Sequence, residues 1–270
     1  MVVAVSVLAP LAPDADAPLA RRNPVAKITA AAVVTVGMLL TLDPVTPGVL
    51  LVIEVLAFPL SGVRLSTLLR RSWPVAVGVA GLCLANVIAV GGGDVLLDLG
   101  PVEITTKGVE SAASVALRLL AVTLPGIVVL AATDPMDLAD ALVQRWHLPA
   151  RFAYGALAAL RLLPLLSADW HLLSRARRAR GLDAGWSPWG RLVAFGGLVF
   201  AVLVAAVRRG VRLAAAMEAR GFGATDVERT VARPQPMRAA DWCLIAGAVA
   251  AVAIATAVSV AVGSWRPPFA

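Results

Sequence analysis

The feature that most constrains this chain is the run from Trp242 to Val262, which contains no charged side chain. Its length is about what one α-helix needs to cross the hydrocarbon core of a bilayer. Four more apolar runs precede it, at residues 25–42, 48–62, 73–90 and 109–132. Repeated runs of this kind are typical of membrane spans, so the sequence predicts an all-α polytopic membrane protein.

Composition supports the same class. Of the 270 residues, 59% are hydrophobic and 15% are charged. A soluble domain is instead about half apolar and about a quarter charged. The net charge of +7 comes almost entirely from arginine, because Lys27 and Lys107 are the only lysines. A nucleic-acid-binding protein can be as basic but would not carry these apolar runs, so we expect a lipid bilayer as the partner and no nucleic acid.

The charges between the runs predict the orientation of the spans. The loop between the second and third runs is basic and contains Arg64, Arg70 and Arg71. It is expected in the cytoplasm, with the third span opening at Trp73-Pro74, and the acidic stretch 94–107 is expected outside. The five runs then give five spans and an outside C-terminus. If residues 191–207 also span, there are six and the C-terminus is inside.

Two long segments, 151–180 and 190–219, share one layout. Each is apolar in its first half and basic in its second, and each ends in the tripeptide Ala-Arg-Gly. Pro164 is expected to kink the first segment. The tripeptides consist of Ala179, Arg180 and Gly181 in the first copy and of Ala219, Arg220 and Gly221 in the second.

The tripeptides have two interpretations. Glycine after a helix is an ordinary C-terminal cap and arginine in a last turn complements the helix dipole, so both could simply terminate helices at a headgroup surface. Alternatively, each places a planar guanidinium with five donors at an exposed tip, where it can pair with carboxylates of a partner protein. The position of both tips on the predicted cytoplasmic side favours docking.

Signatures of catalysis are largely missing. His147 and His171 are expected at the surface and belong to no metal-binding pattern, and Cys83 and Cys243, which lie within apolar runs, are expected to be small core residues. There is no glycine-rich phosphate-binding motif with its lysine, so ATP would have to be bound by another subunit. We therefore expect no enzyme activity, no cofactor and no metal site in this chain.

The ordered motifs resemble the transmembrane T subunit of energy-coupling factor transporters, the group that includes the transmembrane subunits of cobalt, nickel and biotin uptake systems. The similarity covers about residues 23–222. It depends most on the two tripeptides. Other positions that match are Asn23, Pro24, Lys27, Asp134, Pro135, Pro149 and Arg161.

This resemblance implies a non-catalytic subunit of an ATP-driven uptake transporter for a vitamin or transition-metal ion. In that family two coupling helices lie along the cytoplasmic membrane face, and their Ala-Arg-Gly ends insert into grooves of two ABC-type ATPase subunits. The resemblance assigns Arg180 and Arg220 to acidic groups of the ATPases, and surfaces on 152–170 and 191–207 to a membrane-embedded substrate-binding S subunit. The chain departs from the pattern in its Ala/Pro-rich start and in an arginine density that could widen the contact, at Arg175, Arg177 and Arg178.

The predicted organisation follows from these assignments, in a protein of the bacterial cell membrane. It comprises a disordered cytoplasmic tail (1–23), transmembrane helices (24–132), a coupling-helix region (133–222), a linker (223–240), and a last transmembrane helix with its tail (241–270). The alternative function is a self-contained secondary transporter or channel that uses Glu54 and Arg118 within the spans. That alternative predicts loss of transport on mutation of Glu54 and tolerance at Arg180 and Arg220. The coupling hypothesis predicts the reverse.

Overall fold

The structure is a computed structural model. It describes residues 17–41, 43–98, 103–181, 187–222 and 233–265. Apart from one short pair of strands, its regular secondary structure is helical, which confirms the predicted all-α class. The helices are α1 (Pro24–Leu39), α2 (Val45–Ala57) with a 3₁₀ turn (Phe58–Ser61), α3 (Leu65–Ala89), α4 (Thr106–Ala131), α5 (Pro135–Arg145), α6 (Ala150–Ala179), α7 (Pro188–Ala219) and α8 (Ala239–Ala261).

Five of these helices are long and apolar enough to cross a membrane by length and composition. They are α4, α6, α7, α8 and the part of α3 from Ser72 to Ala89. Helices α1 and α2 are apolar but shorter. By this measure the two segments that end in Ala-Arg-Gly could also span. The number of spans and the side of the C-terminus therefore stay as predictions.

The chain divides into two compact units, and one of them is built from two stretches that lie on either side of the other in the sequence. The membrane unit contains residues 10–147 and 235–270, and residues 148–234 form most of the other, which we call the coupling unit. Within the membrane unit, α1, α2, α4 and α8 pack around a small core. Its fully or nearly fully buried side chains are Val34, Met38, Leu50, Ala121 and Ala255. The expectation that both cysteines are core residues was wrong, since Cys83 is half-buried and Cys243 is exposed.

Helix starts agree with the local signals in the sequence. Asn23 caps α1 by accepting a hydrogen bond from the backbone of Val25 at 2.9 Å, with Pro24 in the first turn. Asp134 caps α5 in the same way, through the amide of Met136 at 2.7 Å. A side-chain oxygen at the N-cap accepts a hydrogen bond from an amide that has no partner within the helix. Proline is favourable in the first turn, because the N–H that it lacks would have no partner in the helix.

The basic stretch before the third span was predicted to be a loop, but most of it lies in α3. The helix begins at Leu65, so Arg70 and Arg71 lie within helical backbone and Pro74 lies inside the helix rather than at its opening. Arginine is nearly as good a helix former as leucine, so a change of polarity marks the edge of the apolar span and not the end of the helix. The expected span, 73–90, nevertheless agrees with the apolar part of α3.

Two further segments contain structure that the sequence did not indicate. The acidic stretch predicted as an outer loop contains an antiparallel hairpin, β1 (Val95–Asp98) with β2 (Glu103–Thr105). Residues 17–22, assigned to a disordered tail, form a turn in which the amide of Leu19 donates to the carbonyl of Leu60. The rest of the predicted tail, residues 1–16, and residues 223–232 of the predicted linker lie outside the described residues.

The turn between α1 and α2 is fastened to the far end of α8. Asp43 is fully buried, and its Oδ2 atom accepts hydrogen bonds from the amide and hydroxyl of Thr46 and from the hydroxyl of Ser259, the last at 2.5 Å. Burial by itself raises the pKa of the Asp43 carboxyl, but these hydrogen bonds outweigh it and leave the pKa below its usual value. The carboxylate therefore joins α2 to α8.

Candidate docking site at two helix ends

The first tripeptide terminates α6 as a helix cap. Arg180 is the C-cap residue, and Gly181 follows it with a φ of 70°. The amide of Gly181 donates to the carbonyl of Arg178 at 3.0 Å. A left-handed residue at this position suits glycine because it has no Cβ to clash. The cap ends the helix abruptly, and the side chain of Arg180 is exposed beside it.

The second tripeptide repeats this geometry and completes it. Gly221 has a φ of 78°. Its amide donates to Glu218, and the amide of Phe222 donates to Met217, both at 2.9 Å. These two bonds form a Schellman motif, which gives partners to two of the terminal carbonyls of the helix. Arg220 is the exposed C-cap residue, so both arginines occupy equivalent positions.

An aromatic contact supports the second end. The ring of Phe222 meets the ring of Tyr154 edge to face, with centroids 6.1 Å apart. Tyr154 lies in the second turn of α6, so the end of α7 is held against the beginning of α6. Edge-to-face pairs add stability beyond their buried area. The direction in which α7 ends is therefore fixed by the coupling unit itself.

The three supporting basic residues do not share one environment. Arg175 and Arg178 are exposed beside the first end, as a docking surface requires. Arg177 instead donates from Nη1 to the carbonyl of Ala194 at 3.0 Å and from Nη2 to that of Gly197 at 2.9 Å. A Cβ at Gly197 would lie 3.1 Å from Nη1, so the missing side chain makes room for the guanidinium. Arg177 thus joins α6 to α7 rather than facing a partner.

Sequence reasoning missed a second link between these helices. Asp169 of α6 and Arg209 of α7 form a bidentate ion pair, in which Nη2 donates to Oδ1 at 3.1 Å and Nη1 donates to Oδ2. Trp170, the next residue, packs edge to face on Phe195 with centroids 5.5 Å apart. Opposite charges on two mostly apolar helices were the available signal for the pair.

The other motif positions of α6 are placed as follows. Pro149 is the N-cap residue of the helix, and Arg161 is exposed on it. The helix continues through Pro164, and the hydroxyl of Ser167 donates to the carbonyl of that proline at 2.7 Å. The proline has no N–H to donate to the carbonyl of Leu160 four residues earlier, so this turn of the helix lacks one backbone hydrogen bond.

The remaining motif residues meet in the membrane unit. Lys27 is nearly fully buried, and its Nζ atom donates to the carbonyl of Ala132 at 2.7 Å and to that of Ala20 at 3.2 Å. Ala132 is the C-cap residue of α4, where a cation complements the helix dipole. Since the caps Asn23 and Asp134 lie close to these residues in sequence, this part of the motif fastens the start of α1 to the end of α4.

A buried acidic residue completes this fastening and was not singled out by sequence reasoning. Asp241, in the first turn of α8, accepts hydrogen bonds from the amide of Asn23 at 3.0 Å and from the amide of Arg238 at 2.8 Å. Its side chain is almost entirely inaccessible to solvent. A carboxylate near the N-terminus of a helix is stabilised by the helix dipole, which offsets part of the cost of its burial.

The two residues of the alternative function, Glu54 and Arg118, belong to the membrane unit. Both carboxylate oxygens of Glu54 are buried and have no hydrogen-bond partner among the described residues. Arg118 donates from Nη2 to the backbone carbonyl of Thr41. Within the part of the chain that the structure describes, no group of three or more His, Cys, Asp or Glu side chains is arranged to hold a metal ion.

Long apolar helices and a buried polar fastening define this chain as a multi-pass α-helical membrane protein. A model of the CbiQ family, described as cobalt transport protein, matches residues 16–231. Since the match covers well over half of the sequence, the chain belongs to that family.

Three curated relatives, all of them bacterial proteins, agree with this assignment. The energy-coupling factor transporter transmembrane protein EcfT of Listeria innocua is 32% identical over 170 residues, which cover 60% of this chain and 64% of that protein. The protein of the same description from Limosilactobacillus fermentum is 32% identical over 177 residues, 62% of this chain and 66% of the relative. Both alignments span just under two thirds of the relatives' length. The protein from Heliobacterium modesticaldum is 29% identical over 240 residues, 85% of this chain and 88% of that protein.

Proposed function

We propose that this chain is the transmembrane coupling subunit of an ATP-driven uptake transporter of the energy-coupling factor type. It links two ABC-type ATPases, which hydrolyse ATP, to a membrane-embedded S subunit, which binds a vitamin or a transition-metal ion. The chain itself is not catalytic. Family membership and the relatives described as transmembrane proteins of such transporters support the class.

The observation that carries the proposal is the equivalent geometry of the two helix ends. Each long helix of the coupling unit ends at an exposed arginine, which a left-handed glycine follows at once. An abrupt end of this kind leaves the guanidinium free to enter a groove. There it can form two parallel hydrogen bonds to a carboxylate, the geometry for which arginine is suited and lysine is not.

Contacts between α6 and α7 support a role in transmitting force. The Asp169–Arg209 pair and the Arg177 contacts join the two helices at separate places. A displacement of one helix end is therefore passed to the other helix. Exposed apolar side chains on the first parts of both helices offer the S subunit a surface that includes Phe152, Leu160, Leu165, Leu192, Phe195 and Phe200.

The test is co-purification with a co-expressed pair of ABC-type ATPases. Arg180→Glu and Arg220→Glu should each weaken capture, and the double variant should lose it. Arg191→Glu is the matched control, since Arg191 is an exposed arginine at the other end of α7. Equal capture by the wild type and the double variant would refute the proposal.

A second pair of variants separates docking from capping. Arg180→Lys with Arg220→Lys keeps a positive charge at each helix end, so it preserves the interaction with the dipole. It removes the planar fork, so docking should weaken by about tenfold or more while the melting temperature stays unchanged. If lysine supports full capture, the arginines act as charges only.

A further inference from the structure

The coupling unit is joined to the rest of the chain at two places that are bonded to each other. The backbone leaves the membrane unit after His147 and returns to it at Gln235. The amide of Gln235 donates to Oε1 of Gln144 at 2.9 Å, and its carbonyl accepts from Nε of Arg145 at 3.4 Å. The segment that returns to the membrane unit is thus hydrogen-bonded to the last turn of α5. The chain leaves the membrane unit directly after that turn.

The sequence around Gln235 makes this contact specific. Pro234 and Pro236 flank it, and neither has a backbone amide to donate. The amide of Gln235 is therefore the backbone donor of the Pro-Gln-Pro segment, and it is directed at Gln144. The two proline rings also fix their own φ angles, which limits the freedom of the segment before any contact forms.

Two further bonds extend the contact into buried structure. The side-chain amide of Gln235 donates to Asp137 of α5 at 3.4 Å, and the side-chain amide of Asn23 donates to the carbonyl of Gln235 at 3.1 Å. Asn23 is itself buried and bonded to the buried Asp241. Opening the contact would take the acceptor carbonyl of Gln235 away from the side-chain amide of the buried Asn23, and a buried donor without its acceptor is costly.

We propose that Gln235 with Gln144, Arg145, Asp137 and Asn23 forms a permanent anchor, the Gln235 anchor, that fastens both ends of the coupling unit at one point of the membrane unit. The inference depends on the proposed function, in which ATPases displace the two docking ends of the coupling unit. If the two connecting segments were attached separately, a displacement of one helix end could be lost in a relative movement of the two segments. With one attachment, displacements of both docking ends reach the membrane unit at the same place.

A cysteine pair tests whether the anchor stays closed. In a background with Cys83→Ser and Cys243→Ser, Gln144→Cys with Gln235→Cys should cross-link with a short thiol-reactive reagent. Yields should agree within twofold without nucleotide and with ATP plus vanadate. The cross-linked complex with its ATPases should hydrolyse ATP within twofold of the untreated rate. Gln144→Cys with Ser264→Cys, at the other end of α8, is the pair that should not react.

Amide exchange tests the contact without cysteines. Gln144→Met removes the oxygen that accepts from Gln235, whereas Gln144→Glu keeps one. The amide of Gln235 should exchange at least tenfold faster in the Met variant and within twofold of wild type in the Glu variant. Unchanged exchange in α8 shows that both variants are folded.

The outcomes distinguish this inference from the proposed function. A pair that does not cross-link, a yield that falls with ATP plus vanadate, or a cross-link that stops ATP hydrolysis would overturn the anchor while the coupling role stands. Equal exchange in the Met and Glu variants would also overturn it. Failure of the wild-type chain to retain ATPases would instead refute the coupling role, and the cross-link and the exchange would still be measured on the chain alone.

Discussion

Replacing Ser259 by alanine should weaken the fastening between the turn before α2 and the end of α8. The substitution removes one of three hydrogen bonds to a single oxygen of Asp43, and both residues are fully buried. Interhelical hydrogen bonds in membranes average about 0.6 kcal/mol with a maximum of about 1.7. Hydrogen bonds to charged groups reach about 1.5–3 kcal/mol in soluble proteins. We expect a loss of about 1.5 kcal/mol, roughly tenfold in the unfolding equilibrium.

The control is Thr256→Ala, one turn earlier on the same helix. The hydroxyl of Thr256 donates only to the carbonyl of Val252 within α8, a bond that contributes little to helix stability. Thermal unfolding in detergent, followed by tryptophan fluorescence, should show a drop of about 3–6 °C for Ser259→Ala. The control should stay close to wild type. Equal melting of the two variants would show that the bond to Asp43 does not join α2 to α8.

Three other perturbations test separate parts of the structure. The lowered pKa of Asp43 means that its ionised form favours folding. Its contribution should be present at neutral pH and be lost as the pH falls below about 4, and Asp43→Asn should lose this part of the acid dependence of melting. Gly108→Ala should destabilise, because a Cβ there would lie 2.9 Å from two backbone carbonyl oxygens at the end of α3. Gly126→Ala, in the same helix with open space around it, should be neutral or stabilising by up to about 1 kcal/mol in the same melting assay. Asp169→Arg and Arg209→Asp should each reduce ATPase capture, and the double swap should restore most of it; a double variant no better than the singles would argue against the pair.

Local signals in the sequence predicted the helix ends well. Asn23-Pro24 and Asp134-Pro135 begin helices and both Ala-Arg-Gly copies end them, because a cap depends only on its own side chain and the nearest backbone groups. The apolar runs located apolar helices for a similar reason, since a run of this kind is recognised from its own residues; the number of membrane spans stays a prediction. Polarity alone failed at α3, where helical backbone extends past the apolar part.

Contacts between distant residues could not be predicted from the sequence. Lys27 and Ala132 are 105 positions apart, Asp43 and Ser259 are 216 apart, and Asp169 and Arg209 are 40 apart. Each polar group had many conceivable partners, and packing of the helices selects one. The family motif named Lys27 without indicating that it caps α4. Arg177 was likewise predicted to be part of a basic surface, and the sequence did not indicate that it bonds to α7.

The neighbouring entry and exit of residues 148–234 have an evolutionary consequence. An insert whose two ends meet at one point of its host can be exchanged without rearranging the host, as in domain insertion. Here the junctions fall between α5 and Gln235, whose atoms approach within 2.9 Å. The segment therefore has the form of a cassette, and chimaeras that take it from a relative and retain Gln144 and Gln235 should insert and fold. If the proposed coupling role holds, substitutions that adapt the docking ends to other ATPases can accumulate in the cassette while the membrane unit stays unchanged.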